Sequence, residues 1–204
     1  MIEENYKENS INKKDEAIIN GAINVFIKKG FDNATIDEII KEAKVGKGTI
    51  YRRIGNKEKL EQFIIKQMGT LMFGKIKKKI GQSDNPLLQF KGIINTMCDF
   101  FDDKPQVATL FYSRIFFNPK RPNNLTSWPP IPNLKTDNFI ENILKSAIEK
   151  KQIKNINIQA FLKGFTYFCN PFYFNFLKET LHLSKSEISV LITDSILNGI
   201  TSKK

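Results

Sequence analysis

From Asn12 to Lys29 the apolar residues Ala17, Ile18, Ala22, Val25 and Phe26 fall at helical spacing and define one buried stripe. Asn12 suits the N-cap of that helix, and Gly30 suits the left-handed residue that ends it. Thr35 followed three residues later by Glu38 is a capping box. The helix it opens carries Ile36, Ile39, Ile40 and Ala43 on one face before Lys44-Val45-Gly46 interrupts the pattern. A second short helix follows from Lys47 to Ile54, with Gly46 at its N-cap and Ile50 and Ile54 directed inward. Asn56 then caps a long helix to about Lys79 on Leu60, Phe63, Ile64, Met68, Leu71 and Ile76. At roughly 22 residues it extends for about 33 Å.

Gly81 to Asn85 breaks the pattern, and Pro86 suits the first turn of the next helix. Helices are expected over 87–102, 105–117, 137–151, 157–178 and 185–199. The fourth of these is kinked near Pro171, and the last is opened by a capping box at Ser184 and Glu187. Asn118 to Lys135 holds five prolines and Trp128 and is expected to be irregular. Strand signals are nearly absent. The pattern predicts an all-α fold of about nine helices.

Two short helices joined by a tight turn form a helix-turn-helix, whose second helix enters the major groove of double-stranded DNA. With Ile50 and Ile54 inward, the helical wheel directs Gly48, Thr49 and Arg52 outward and sets Tyr51 and Arg53 on the flanks. Gly48 permits close backbone approach, and Thr49 suits a phosphate or a thymine methyl group. The Tyr51 hydroxyl suits a phosphate oxygen, and the Arg52 fork suits the O6/N7 edge of guanine. Lys57 opens the long helix, where free N–H groups already favour an anion.

The charge distribution sharpens this reading. The formal net charge of +11 alone is compatible with a diffusely basic surface. Residues 1–43, however, are net acidic. Residues 44–60 set Lys44, Lys47, Arg52, Arg53, Lys57 and Lys59 against the single acid Glu58. Of 32 basic residues only four are Arg, and two of those are adjacent on the second short helix. Arg is the better-shaped partner for phosphate and guanine. The N-terminal residues lack the apolar core of a signal peptide, and no run of about 18 apolar residues suggests a membrane span. With Cys98 and Cys169 as the only cysteines, a reduced cytoplasmic setting is expected.

Residues 14–60 resemble the DNA-binding domain of the tetracycline-repressor (TetR) family of bacterial regulators. The matching positions are Ala17, Ala22, Phe26 and Gly30-Phe31, then Ala34-Thr35-Ile36, Ile39 and Ala43. They continue with Val45, Lys47-Gly48-Thr49-Ile50-Tyr51, Asn56-Lys57-Glu58 and Leu60. The resemblance implies that Thr35, Lys47, Gly48, Thr49, Tyr51 and Lys57 face DNA. Three positions depart from the family, which usually has Gly at Lys44, Ser at Gly46 and Phe at Ile54. Lys44 is therefore expected to adopt a left-handed conformation, costly for a residue with a Cβ, while returning some phosphate attraction.

The resemblance further implies a DNA-binding domain over 1–55 and a ligand-binding and dimerisation domain over 56–204, connected by the helix at 56–79. The second domain is rich in Phe. Two explanations stay open: an aromatic core, or a cavity for a small apolar or aromatic effector. Candidate lining residues are Met97, Phe101, Phe111, Tyr112, Phe116 and Trp128, with Phe165, Phe168 and Phe172 from the helix at 157–178. A homodimer reading a palindromic operator is implied, its interface built from the last two major helices. Phe161, Ile188, Leu191, Ile192 and Ile196 are the candidates, although one sequence leaves open whether that stripe faces a partner or the chain's own core. No cofactor or metal is expected: the single histidine, His182, has no ligand cluster around it. No nucleophile motif or phosphate loop suggests an enzyme. The expected function is a repressor released from its operator by the effector. The alternative is a constitutive DNA-binding or structural protein whose second domain binds a protein partner.

Overall fold

The computed structural model describes residues 12–81, 83–116 and 137–200. The chain divides into two compact units that meet within one long helix, between Ile64 and Ile65. The Asn118–Lys135 segment, with Trp128, lies outside the described residues, as does the Phe116 side chain.

In the first unit, α1 (Lys13–Lys29) starts where the Asn12 side chain accepts N–H bonds from Lys14 and Asp15, and it ends at Gly30, whose φ is +75°. The stripe expected on α1 is buried from Ile18 onward, joined by Ile19 and Ile23, with Ala17 half-buried. It packs against α2 (Ile36–Ala43), which presents Ile39 and Ala43. Gly21 allows the two helices to touch: a Cβ at that position would lie 2.7 Å from both the Cβ and the backbone nitrogen of Ala43. Helix α3 (Lys47–Arg53) contributes Ile50, fully buried. Helix α4 (Lys57–Ile80) contributes Leu60 and Ile64 to this unit.

The second unit is organised around α5 (Pro86–Asp103), which Asn85 caps and Pro86 opens. Its buried face (Phe90, Ile93, Ile94, Met97, Phe101) meets α6 (Pro105–Phe116), α7 (Asp137–Glu149), α9 (Pro171–Thr180) and α10 (Lys185–Ile200). Phenylalanine rings fill much of this core: Phe90 lies 5.3 Å from Phe165 and Phe101 5.9 Å from Phe174, centroid to centroid. Asp99 holds Lys79 of α4 and Lys185 of α10, each at 2.9 Å. Both capping boxes foreseen in the sequence form, at Thr35/Glu38 and at Ser184/Glu187.

The helix expected over 157–178 is divided. α8 (Ile158–Phe168) stops at Cys169, and Asn170 caps a fresh helix whose first residue is Pro171. Proline lacks the N–H that a continuous helix needs, and an Asn immediately before it supplies a new cap, so the chain restarts rather than bends. With α8 and α9 counted as one broken helix, the described residues hold nine helices.

Candidate nucleic-acid interface

The turn between α2 and α3 is built from backbone hydrogen bonds. Lys44 sits in the left-handed region (φ 54°, ψ 41°), the conformation its position was expected to demand. Its N–H donates to the carbonyl of Lys41, and the Val45 N–H donates to that of Ile40, the two bonds of a Schellman ending. Gly46 then takes the extended N-cap conformation of α3 without any side chain to cap it. Upstream, Thr35 Oγ1 accepts the Glu38 N–H at 3.3 Å, while the Glu38 carboxylate accepts the Thr35 N–H at 3.1 Å. Lys29 also reaches Glu38, and these bonds hold the Glu38 carboxyl down at about 2, the Lys29 contact being the largest influence.

On α3, burial of Ile50 turns Gly48, Tyr51 and Arg52 to solvent, with Thr49 half-buried beside them. Tyr51 is 49% exposed. Arg52 is exposed, and among the described residues its guanidinium forms no ion pair. Lys47 lies 2.9 Å from Asp37 of α2, which raises its pKa, and its ammonium stands 5.9 Å from the Tyr51 ring centre. An exposed cation shared with an exposed carboxylate remains available to a phosphate.

Two residues assigned to DNA from the sequence have other partners. Arg53 Nε and Nη2 donate to the two Asp15 carboxylate oxygens, each at 2.9 Å. Lys57 Nζ donates to the carbonyls of Phe31, Asp32 and Ala34 at 3.0–3.1 Å. An ammonium has three donors, and these three acceptors satisfy it. Lys57 is thus a strut across the loop between α1 and α2, and what it offers an anion is its backbone N–H at the start of α4. Sequence reasoning missed Asp15 and Asp37 because nothing in spacing ties residue 15 to 53 or residue 37 to 47.

In the second unit, Met97, Phe101 and Phe165 are buried in the core, and Phe111 and Tyr112 are half-buried. The Tyr112 hydroxyl donates to the Thr166 carbonyl, and burial pushes its pKa upward. Phe168 and Phe172 do not line an interior: they are 50% and 43% exposed. The expected dimer stripe is corrected likewise. Ile188, Ile192 and Ile196 are at most 7% exposed within the single chain and so belong to its own core, and Phe161 packs on Phe90. Of that set only Leu191, 39% exposed, faces outward, beside Val190. Tyr167, Phe168, Phe172 and Phe176 on α8 and α9 are the other large apolar side chains exposed there. No helix among the described residues is long and apolar enough to cross a membrane.

A capped α2, a left-handed turn and an α3 with one buried face and one polar outer face define a helix-turn-helix unit. In this unit the chain is similar to the TetR family: its residues 18–61 match the model described as bacterial regulatory proteins, tetR family. Over 42 residues it is 45% identical to an uncharacterized HTH-type transcriptional regulator, YdeS, of Bacillus subtilis (strain 168). That match covers 21% of either chain, so it spans about a fifth of the curated relative. Among solved structures, the fatty acid degradation regulator FadR from Bacillus halodurans superposes with a TM-score of 0.74 at 16% identity, over 90% of this chain and 98% of that one. FadR from Bacillus subtilis in complex with stearoyl-CoA gives 0.67 at 17%, over 91% and 98%. At these identities the likeness is one of fold.

Proposed function

We propose that this regulator is a repressor that binds a palindromic operator as a homodimer and is released by an apolar effector. The observation that carries the DNA side is the outer face of α3, where Arg52, Tyr51, Thr49 and Gly48 stand together and exposed or half-exposed. Arg52 reads a guanine edge, Tyr51 and Thr49 position the helix on the backbone, and Lys44 and Lys47 add phosphate attraction. Lys57 acts through its backbone N–H. The dimer forms on the exposed apolar side chains of α8, α9 and α10 (Tyr167, Phe168, Phe172, Phe176, Val190, Leu191), since a second copy covers the patch that one chain leaves in water.

The effector class is supported by the aromatic composition of the second unit and by a structural neighbour, B. subtilis FadR, solved with stearoyl-CoA. A long acyl chain suits aromatic and aliphatic surroundings, and a preference of a few kcal/mol for the released conformation is enough to clear an operator.

The test has two stages. Selection from random duplex DNA yields an enriched palindrome, and the protein binds it with a strong salt dependence. Stearoyl-CoA, with a planar aromatic compound as comparator, is then titrated into the complex while fluorescence anisotropy is read. Release by either supports an effector-controlled repressor and names the effector class. Binding that neither moves, joined to saturable capture of a protein on the α8–α9 face, favours the constitutive reading instead.

A further inference from the structure

We infer that Asp15 is a positioning residue for DNA reading: through Arg53 it fixes the rotation of α3 about its own axis, and Arg53 serves this clamp and not the phosphate backbone. The inference rests on α3 being the reading helix.

Helix α3 is seven residues long and fully buries a single side chain, Ile50. Its N-cap, Gly46, has no side chain to bond the first turn, and Ile54, which follows its last residue, is only half-buried. One buried anchor resists translation of so short a helix far better than it resists rotation. The second anchor is Arg53. Its Nε and Nη2 meet both oxygens of Asp15 at 2.9 Å, a planar two-bond geometry that transmits torque where a single contact does not. Asp15 is itself held. It lies in the first turn of α1, its N–H bonded to the Asn12 side chain at 3.0 Å, where the helix terminus favours a carboxylate. Its side chain is 17% exposed and that of Arg53 is 37% exposed, so the pair is partly shielded from competing water.

The two anchors are three residues apart, on one side of α3, whereas Arg52 lies about 200° from Ile50. Rotating the helix therefore swings Arg52 and Tyr51 directly across the groove. A bidentate contact to a base tolerates little such error.

The test uses the full-length protein and the DNA it selects, with Asp15→Asn, Arg53→Gln, the double variant, and the charge swap Asp15→Arg/Arg53→Asp. Affinity is measured against salt concentration, well below each variant's melting temperature, for selected and scrambled duplexes. The clamp predicts that each single variant weakens binding to the selected duplex about tenfold, the order of one lost bidentate base contact. It predicts little change on scrambled DNA, an unchanged salt slope, a double variant no worse than either single, and partial recovery in the swap. A salt slope reduced by about 0.9 in Arg53→Gln but not in Asp15→Asn makes Arg53 a phosphate contact and overturns the inference. Lower melting temperatures with unchanged affinity for the selected duplex make the pair merely structural and overturn it equally. Failure of the wild-type protein to select any sequence is a different result, removing α3 as reading helix and the clamp with it.

Discussion

Lys47 and Asp37 meet at 2.9 Å across the turn that joins α2 to α3, both exposed to solvent. The pair places a carboxylate beside the first residue of the reading helix, where phosphate is expected. Removing that carboxylate frees the ammonium and deletes a like-charge repulsion. Asp37→Asn is expected to strengthen binding to any duplex by roughly two- to fivefold, the range an exposed pair reaches. The log–log salt plot, read by anisotropy on selected and scrambled DNA, is expected to steepen. Weaker binding to both would show that Asp37 orders Lys47 for DNA.

Lys44 holds a left-handed conformation that glycine adopts freely. Lys44→Gly is expected to stabilise the folded protein by about 1 kcal/mol while making DNA binding less salt-dependent, because a cation is lost. Gly46→Ser is expected to add a few tenths of a kcal/mol by capping α3. There is room for it, since the new Cβ would lie 3.7 Å from Thr49 Oγ1. Chemical denaturation of the two variants separates these effects.

Gly21→Ala inserts a methyl group 2.7–2.8 Å from three atoms of Ala43, two of them backbone. Neither helix can rotate that contact away, so α1 and α2 must part. A loss of about 1–3 kcal/mol is expected in urea unfolding, with DNA binding impaired in parallel. A neutral result would show that α2 is less firmly seated than its geometry implies.

The Glu38 carboxyl, held at about 2 against an ordinary 4.5, binds protons less readily in the folded state. Its contribution is complete above pH 4.5 and is lost as pH falls toward 2. Glu38→Gln is thus expected to melt below the wild type at pH 6, with the gap closing between pH 4.5 and 2. A gap that stays constant with pH would assign the effect to packing.

Much of this was legible in the sequence because its causes are local. The Thr35–Glu38 and Ser184–Glu187 boxes lie within one helical turn, and the Ile50 stripe fixes the outer face of α3 by geometry alone. Long-range partnerships were not legible. Asp15 and Arg53 are joined only when α1 and α3 pack, and Lys57 finds three carbonyls in the loop between α1 and α2, more than 20 residues away in sequence. The Ile188–Ile192–Ile196 stripe reads the same whether it meets the chain's own core or a partner, since burial has one sequence signature and two causes. Pro171 by itself reads as a kink, and only together with Asn170, which caps immediately before it, does it mark the start of a new helix.

The central claim is that α3 reads base sequence through Arg52. Wild-type protein and Arg52→Ala, both passed through selection from random duplex DNA, test it most directly. The claim predicts that the wild type enriches a palindrome with a fixed guanine in each half-site. It predicts that Arg52→Ala loses about 1–3 kcal/mol on that palindrome and accepts other bases at that position. Identical enrichment by both proteins, or none by the wild type, contradicts it.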